Sequence, residues 1–237
     1  MKSDSFVFSY TGGRPYNEDC AQIKESENQA LFVVADGLGG HQHGELASNR
    51  VVKVLCDAFP PKPDTEISDW LEETLKKAQD EVTALQEETD AAMRTTVITL
   101  IINGDKAYWA HIGDSRLYYI GNSEIKRITE DHSVAYKKYK AGEIFYDEIA
   151  LDEDQSRLLR AIGSERNTPA LDSSGIKNGD GFLLCSDGKW EYIRQEEILV
   201  DFLKSDSARQ WGELMLMRVM ERQPEDCDNL SLITVFV

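Results

Sequence analysis

The sequence lacks an apolar segment long enough to cross a membrane, and it lacks an N-terminal secretion signal. No apolar run approaches the roughly 20 residues that a membrane helix needs. The first residues, Met-Lys-Ser-Asp-Ser-Phe, contain neither an apolar stretch nor a small-residue cleavage site. With 41% hydrophobic and 29% charged residues, the composition is that of an ordinary globular domain. We therefore expect a cytoplasmic protein without a membrane partner.

Basic residues are few, and cysteines are neither numerous nor closely spaced. The 237 residues include 26 Lys and Arg against 43 Asp and Glu, which gives a formal net charge of −17. Because this charge opposes binding to phosphate backbones, we expect no nucleic-acid partner. The four cysteines show no close CxxC pairing and are interpreted as reduced, mostly buried thiols in a reducing compartment. They are Cys20, Cys56, Cys185 and Cys227.

Eight segments rich in β-branched and aromatic residues predict strands. They cover residues 5–10, 20–24, 30–35, 95–102, 106–112, 117–121, 181–185 and 230–237. Tight hairpins are predicted at Asn103-Gly104 and at Gly121-Asn122-Ser123, which lie in turn positions after strand-like runs. Apolar residues at helical spacing predict long helices at 44–59 and 67–85, another at 208–222 and a shorter one at 196–203.

The order of these elements does not alternate regularly between strand and helix, which argues against a doubly wound parallel sheet. We predict an α+β fold with four layers, α-β-β-α, in which two central antiparallel sheets are flanked by helices. Nothing in the composition marks a boundary, so residues 1–237 are interpreted as one domain and as a monomer. Five acids between Phe145 and Asp154 predict a mobile acidic loop within a flap-like insert at about 131–165.

Two Asp-Gly turns, far apart in the sequence, each follow a run of apolar residues. Asp36 follows residues 31–35 and Asp187 follows residues 182–186, so each acid stands where a predicted strand leaves the core. A buried carboxylate is costly unless it is paired or bound to a cation. We therefore expect the fold to bring these acids together around metal. Other acids at predicted strand ends or turns are Glu18, Asp19, Asp114, Glu191, Asp226 and Asp228.

The residue types of this acidic set favour a particular chemistry. Histidine and cysteine do not join the acids at zinc-like spacing, and oxygen ligands suit hard cations such as Mg²⁺ or Mn²⁺. Paired metal ions lower the pKa of a bridging water and orient it for attack at phosphorus. Arg14, taken alone, would be interpreted as a surface ion pair, but beside Glu18 its planar guanidinium suits binding of phosphoryl oxygens. Together these residues favour hydrolysis of a phosphate ester.

Seven blocks of the sequence carry a family resemblance. They are GGRPYNEDC, FVVADGLGGHQHGELAS, TTVITLIINGDKAYWAHIGDSRLYYI, ITEDHS, LLRAIGSE, GFLLCSDGKWEYI and DNLSLITVFV. In the same order, they resemble the motifs of the PPM (protein phosphatase 2C-like) serine/threonine phosphatases of bacterial type. Any single block would be weak evidence, since Asp-Gly pairs are common turns, but seven in register argue strongly against chance.

The resemblance implies a metal-dependent phosphatase with a central β-sandwich, flanking helices and two core ions, Mn²⁺ or Mg²⁺. In the family pattern, the residue that matches Asp36 bridges the two ions, and the residue that matches Gly37 lends its backbone carbonyl to the second. Asp187 and Asp228 match the residues that hold the first ion. Arg14 matches the residue that binds the substrate phosphate.

Further acids take supporting roles by the same resemblance. Glu18 is implied to act mainly through metal-bound water, and Asp19 to support the shell of the first ion. Many bacterial members bind a third, weaker ion, for which the matching positions are Asp114, Asp187 and Glu191. The family usually has Asp where this chain has Glu191, so occupancy of that third position stays open.

Other departures surround the same turns. Lys189 replaces an apolar residue, and its charge would either weaken metal affinity or attract an anionic substrate; an outward-pointing side chain is the favoured interpretation. His41 matches a histidine of the bacterial pattern and either protonates the leaving group or caps the helix that starts near Gly44. Arg94 stands where the family has the glycine of Gly-Thr-Thr, a step interpreted as the entry into a strand.

The sequence therefore predicts a phosphoserine/phosphothreonine protein phosphatase that uses a water activated between two Mg²⁺ or Mn²⁺ ions. Its expected partners are phosphorylated proteins, the substrates of a cognate bacterial Ser/Thr kinase. The negative net charge suggests targets with basic surfaces, or else local docking. The alternative is a catalytically impaired pseudophosphatase that binds phosphoproteins, against which the retention of Arg14, Asp36, Asp187 and Asp228 argues.

Overall fold

The computed structural model describes residues 3–38, 43–62 and 64–237. The strands of this part are β1 (Asp4–Tyr10), β2 (Cys20–Glu25), β3 (Gln29–Ala35), β4 (Gly37–Leu38), β5 (Arg94–Thr95), β6 (Val97–Asn103), β7 (Lys106–Ile112), β8 (Arg116–Gly121), β9 (Glu124–Ile128), β10 (Ala170–Gly175), β11 (Gly181–Cys185) and β12 (Leu230–Phe236). The α-helices are α1 (His43–Ala58), α2 (Ile67–Thr89), α3 (Val134–Ala141), α4 (Asp187–Trp190), α5 (Gln195–Lys204) and α6 (Ala208–Arg222), and a 3₁₀ helix covers Tyr146–Leu151.

Ten strands form two five-stranded antiparallel sheets. The first has the order β1-β12-β11-β8-β9 and the second the order β10-β7-β6-β3-β2, while β4 and β5 form a small separate ladder. Because β3 belongs to one sheet and β11 and β12 to the other, the two sheets have to pack together before their strand ends can meet. This topology positions the acidic residues of the sequence.

Strict alternation along β3 shows how the layers are built. Leu31 and Val33 pack on the side that faces α1 and α2, whereas Phe32 and Val34 pack between the two sheets. Opposite faces of a strand point to opposite layers, and all four of these side chains have no solvent exposure. A third core lies on the far side of the first sheet, where Trp211 of α6 is fully buried. The predicted four-layer α+β architecture is confirmed.

The structure confirms the eight predicted strands and the predicted helices, with ends that differ by a few residues. Both hairpins are present: Asn103 pairs with Lys106 across a turn in which Gly104 has φ +61°, and Asn122 and Ser123 have φ of +53° and +60°. The segment 95–102 is divided at Thr96 into β5 and β6. Within the described part, no helix has the length and apolar character to cross a membrane, and all four cysteines are free thiols.

The predicted loop over 145–154 is wrong in its local structure. Residues Tyr146–Leu151 form a 3₁₀ helix, and Ile149 on that helix is buried among apolar neighbours. Two of the acids bind the end of α3, since Lys138 Nζ lies 2.8 Å from Asp152 and 2.9 Å from Asp154. Burial of one apolar side chain and neutralisation by a lysine order a segment that charge alone marks as a loop. That residues 131–165 act as a flap stays a prediction.

Candidate active site

The two Asp-Gly turns meet although they belong to different sheets. Asp36 follows β3 of the second sheet directly, and Asp187 follows Ser186 after β11 of the first sheet and begins α4. Their carboxyl groups lie within hydrogen-bonding range of each other. Two carboxyl groups at this distance repel each other when both are ionised. The fold therefore creates a concentration of negative charge where the sequence predicts metal ligands.

The backbone of Asp36 is fixed by Thr95, at the end of β5, and by Thr96. The Thr95 hydroxyl and the Thr96 amide both donate to the Asp36 carbonyl at 2.8 Å. The Asp36 amide in turn donates to the Thr96 hydroxyl at 3.1 Å. With its main chain satisfied in this way, the carboxyl group of Asp36 is held toward the neighbouring acids.

A close backbone approach holds Glu18 beside the first Asp-Gly turn. The Gly37 amide donates to the Glu18 carbonyl at 3.1 Å, and the Gly44 amide donates to Glu18 Oε1 at 3.2 Å. A Cβ on Gly37 would come within 2.3 Å of the Gly44 carbonyl oxygen, so only glycine fits this position. The Ser48 hydroxyl adds a donor to the Glu18 carbonyl at 2.6 Å. Glu18 and Gly37 are thereby held next to each other.

Asp19 is a buried acid with one unsatisfied oxygen. Its Oδ2 accepts a hydrogen bond from the Ser186 hydroxyl at 2.8 Å, whereas its buried Oδ1 has no partner among the described residues. Burial raises the pKa of Asp19 to about 7, and the charges of Asp187 and Asp228 act in the same direction. An unpartnered carboxylate oxygen inside a cluster of acids is a suitable place for a cation.

Arg14 contacts an acid of the cluster rather than solvent alone. Its Nη2 lies 3.0 Å from Asp228 Oδ2, and the side chains of the two residues are 53% and 44% exposed. An ion pair this open contributes little to stability. The guanidinium is therefore accessible from solvent at the edge of the cluster.

Asn229 organises the site although sequence reasoning did not select it. Its side-chain amide donates to the carbonyls of Thr11 at 2.7 Å and Tyr16 at 3.0 Å, and its Oδ1 accepts from the Glu18 amide at 2.7 Å. These bonds attach the segment that carries Arg14 to the start of β12. The position of Asn229 directly after Asp228 was the only signal for this role in the sequence.

Asp114 and Glu191, the candidate third-metal residues, are both next to Trp190, the first in space and the second in sequence. The Trp190 indole donates to the Asp114 carbonyl at 3.0 Å. Burial, followed by the charge of Asp187, raises the pKa of Asp114 well above its usual range and raises the pKa of Glu191 to about 8. The longer side chain of Glu191 accepts a hydrogen bond from the amide of Gln155. The charge of Asp187 thus raises the pKa of both acids. Glu191, which stands where the family usually has Asp, directs its carboxylate toward Gln155.

A buried ion pair supports this side of the site and was also missed from the sequence. Arg116 Nη2 lies 2.6 Å from Asp131 Oδ2, and its Nε donates to Asp131 Oδ1 at 2.8 Å. The Arg116 guanidinium lies 3.5 Å from the centroid of the Trp190 ring. This bidentate and stacked geometry holds the Trp190 ring, whose indole donates to the Asp114 carbonyl.

The prediction that Lys189 points outward is wrong. The residue has no solvent exposure, and its Nζ has no hydrogen-bond partner among the described residues. The nearest favourable contact is the Tyr118 ring, whose centroid lies 5.3 Å away. The short helix α4 turns this position toward the first sheet, so its side chain enters the core beside Tyr118. Burial lowers the pKa of Lys189 to about 8.

The electrostatics of the cluster fit a divalent cation. Burial and the neighbouring carboxylates raise the pKa of Asp36 well above its usual range, and burial raises that of Asp187 to about 6. Within residues 3–38, 43–62 and 64–237, no three acidic, histidine or cysteine side chains already converge as a complete ligand set. Carboxylate oxygens together with retained waters form the kind of shell that Mg²⁺ and Mn²⁺ prefer. The residues present fit such ions. His41 lies outside the described residues.

Comparisons with known proteins agree with this geometry. Residues 11–216 match the family model described as Protein phosphatase 2C. The chain is 33% identical over 201 residues to the serine/threonine phosphatase Stp of Listeria monocytogenes serotype 4b, a match that covers 81% of this chain and 79% of the relative. The structure of Stp1 from Staphylococcus aureus has a TM-score of 0.90 at 26% identity and covers 100% of this chain and 96% of the other. The catalytic domain of PstP, solved in complex with two manganese ions, has a TM-score of 0.85 at 26% identity, with coverage of 99% and 97%.

Proposed function

Because the chain belongs to the protein phosphatase 2C family of metal-dependent serine/threonine phosphatases, we propose that it hydrolyses phosphoserine and phosphothreonine monoesters in proteins. The observation that carries the proposal is the contact between the carboxyl groups of Asp36 and Asp187. Acids from two sheets meet there at a cost that only protons or cations relieve. A phosphoryl-transfer site needs such a concentration of ligands for hard cations.

Each residue of the cluster receives a proposed role. Asp36 would hold both of two Mn²⁺ or Mg²⁺ ions, the Gly37 carbonyl would hold the second, Asp187 and Asp228 would hold the first, and Glu18 and Asp19 would support their shells. Such ions would supply an activated water for attack at phosphorus. Asp114, Asp187 and Glu191 would hold a third ion more weakly.

Arg14 is proposed to bind the phosphoryl group of the substrate. Its guanidinium already lies at the open edge of the cluster, 3.0 Å from Asp228. The guanidinium would exchange the Asp228 carboxylate for phosphoryl oxygens, to which its planar group can donate two parallel hydrogen bonds. Its exposed position gives a phosphorylated side chain direct access. No protein nucleophile is needed for this reaction.

The partners follow from the chemistry of the substrate. Phosphoserine and phosphothreonine in proteins are products of protein kinases, so we propose that this phosphatase opposes a Ser/Thr kinase of the same cell. The chain is proposed to act as a monomeric single domain, with residues 131–165 as a flap beside the site.

Substitution of the metal ligands tests the proposal. We expect Mn²⁺-stimulated hydrolysis of p-nitrophenyl phosphate and of a phosphothreonine peptide, lost on addition of chelator. Asp36→Asn and Asp228→Asn should each lower kcat/KM by at least about 100-fold, because each removes a carboxylate charge from the metal shell. The matched control is Asp226→Asn, since Asp226 is exposed two residues before Asp228 and belongs to no described contact of the cluster. That variant should retain full activity.

The pseudophosphatase alternative gives a different result in the same experiment. It predicts no Mn²⁺-dependent turnover above that of Asp36→Asn, together with retained binding of phosphopeptide. Robust turnover in chelator would instead contradict the metal-dependent mechanism itself.

A further inference from the structure

A cationic cleft borders the candidate active site and has no role in the metal cluster. It has a volume of about 760 Å³ and is lined by three arginines, Arg94, Arg160 and Arg166, with Glu165 as the only carboxylate among its described lining residues. Leu38 and Leu158 contribute apolar surface. The chain has a net charge of −17, whereas the side chains that line this cleft carry a net positive charge.

The cleft is joined to the first Asp-Gly turn by backbone pairing. Leu38, the residue after Gly37, lines the cleft and pairs with Arg94 in the β4–β5 ladder. Its other side is formed by the segment that pairs with Thr95, where Thr95 and Ile162 exchange hydrogen bonds of 3.0 and 2.9 Å. Thr95 also donates to the Asp36 carbonyl. Arg94 therefore lies on the backbone ladder that fixes Asp36, and Arg160 and Arg166 lie in the segment that pairs with Thr95 at Ile162.

The positive charges of the cleft are not neutralised by the protein. None of the three arginines has a carboxylate within 4.0 Å in the part of the chain that the structure describes, and the residues outside that part include no acid. Arg160 donates to His132 Nε2 and to the Thr168 carbonyl, both at 3.2 Å, which fixes its direction without removing its charge. Arg94 and Arg166 are exposed. Their guanidinium groups are available to an anionic ligand.

We propose that this cleft binds acidic residues that flank the phosphorylated serine or threonine of the substrate, an inference that rests on the proposed function. An extended peptide rises about 3.3 Å per residue. Leu38 is two residues from Asp36, and Arg94 pairs with Leu38 in the neighbouring strand. The distance from the acidic cluster to Arg94 therefore corresponds to a few residues of extended peptide. Substrate positions two to four residues from the phosphorylated residue reach the cleft. Carboxylates at those positions match the three guanidinium groups that line the cleft.

Net charge alone left two expectations open, targets with basic surfaces or local docking, and this inference favours local docking. Exposed charges farther apart than about 8 Å are largely screened at physiological ionic strength. The overall charge of −17 therefore slows the encounter with an acidic target but does not decide the contacts made in the groove. The positive charge of the cleft decides which substrate sequences are preferred, and it favours peptides with acidic residues beside the phosphorylated residue.

Two phosphothreonine peptides of equal length test the proposal. One carries Glu at the flanking positions and the other carries Gln at the same positions; p-nitrophenyl phosphate, which has no flanks, reports the chemistry alone. With Mn²⁺ present, kcat/KM should be about tenfold higher for the Glu peptide, as expected for a few solvent-exposed charge contacts. Arg94→Gln and Arg166→Gln should each remove about two- to threefold of that preference and leave p-nitrophenyl phosphate turnover unchanged. The preference should shrink as salt is added.

The control variant is Arg209→Gln, because Arg209 is an exposed arginine on α6 that pairs with Glu213 on the same helix. It should retain the full preference for the Glu peptide. Equal rates for the two peptides with wild-type protein would overturn the cleft proposal while p-nitrophenyl phosphate hydrolysis upholds the proposed function. If no substrate is hydrolysed, the proposed function fails, and fluorescence anisotropy with the unphosphorylated Glu and Gln peptides still decides on the cleft. Equal binding of both peptides would then refute it.

Discussion

At the scale of single residues, the protein keeps a charged-type side chain where its surroundings favour an apolar one. The Lys189 amine is buried and has no hydrogen-bond partner within the described part of the chain, and its contact there is with the Tyr118 ring. Burial lowers its pKa to about 8, so the amine remains largely protonated at neutral pH and bears a desolvation penalty. The residue directly follows the second Asp-Gly turn. Its effect on folding stability is therefore measured by itself, through the free energy of unfolding.

Lys189→Met should raise the free energy of unfolding by about 1–3 kcal/mol, because it removes a buried unsatisfied group and keeps most of the side-chain volume. Urea denaturation monitored by circular dichroism measures the change, and the midpoint should rise with an unchanged m-value. Lys204→Met on α5 is the control: Lys204 is exposed, so its replacement should change stability by less than about 0.5 kcal/mol. A destabilised Lys189→Met protein would mean that the amine makes a favourable interaction that the present contacts lack.

At the scale of elements, sequence periodicity predicted the strands and helices that bury one regular face. It missed the elements that do not. The alternation of β3 and the spacing in α6 come from direct contact with a core, so their ends were predicted well. Strand β10, with the sequence Ala-Leu-Asp-Ser-Ser-Gly, was missed because it is a polar edge strand whose pairing with β7 supplies its order. Helix α3 and the 3₁₀ helix were missed for a similar reason, since each buries a single residue fully.

The packing of α5 on the first sheet depends on the absence of a side chain at Gly181. A Cβ at this position would lie 2.2 Å from the Phe202 ring, and Phe202 is itself held against Trp211 and Phe236. Gly181→Ala should therefore lower the free energy of unfolding by about 1–3 kcal/mol through overpacking. Thermal or urea denaturation gives the measurement.

Gly175 provides a matched strand glycine for that experiment. A Cβ at Gly175 would meet no atom within 4 Å, and its φ is not positive. Gly175→Ala should leave stability unchanged or raise it slightly, since alanine restricts the unfolded chain. Equal destabilisation by the two substitutions would show that backbone conformation, rather than the contact with Phe202, explains the loss.

At the scale of the whole molecule, the sequence predicted the four layers and the proximity of distant acids. The contacts inside the site are visible only in the three-dimensional structure. Acids at strand ends are visible in a sequence because apolar runs precede them, as for Asp36 and Asp187. The Gln155 contact that directs Glu191, and the burial of Lys189, depend on segments brought together only by the packed sheets and the 131–165 region. Local patterns do not contain that information.

The same cluster makes the stability of the metal-free protein depend on pH with a defined sign. In the folded state the pKa is about 7 for Asp19, about 6 for Asp187 and about 8 for Glu191, against ordinary values of 3.8, 3.8 and 4.5. The folded protein thus retains protons that the unfolded chain has lost, so stability decreases as pH rises through the folded values. Below pH 6.5 the lowered pKa of His132, about 3, acts in the opposite direction. Above pH 8 the lowered pKa of Lys189 does the same.

Between pH 6.5 and pH 8 the acids therefore dominate, and the melting temperature in chelator should fall as pH rises across this window. With saturating Mn²⁺ the fall should diminish or reverse, because the cation binds the deprotonated carboxylates and their deprotonation then favours the folded state. Differential scanning fluorimetry at both pH values, with chelator and with Mn²⁺, measures the difference. Glu191→Gln should flatten the upper part of the curve in chelator, since it removes the group with the highest of the three pKa values. A melting temperature that rises with pH in chelator would show that the acids are not held together in the absence of metal. The repulsion between carboxylates that favours cation binding would then be absent as well.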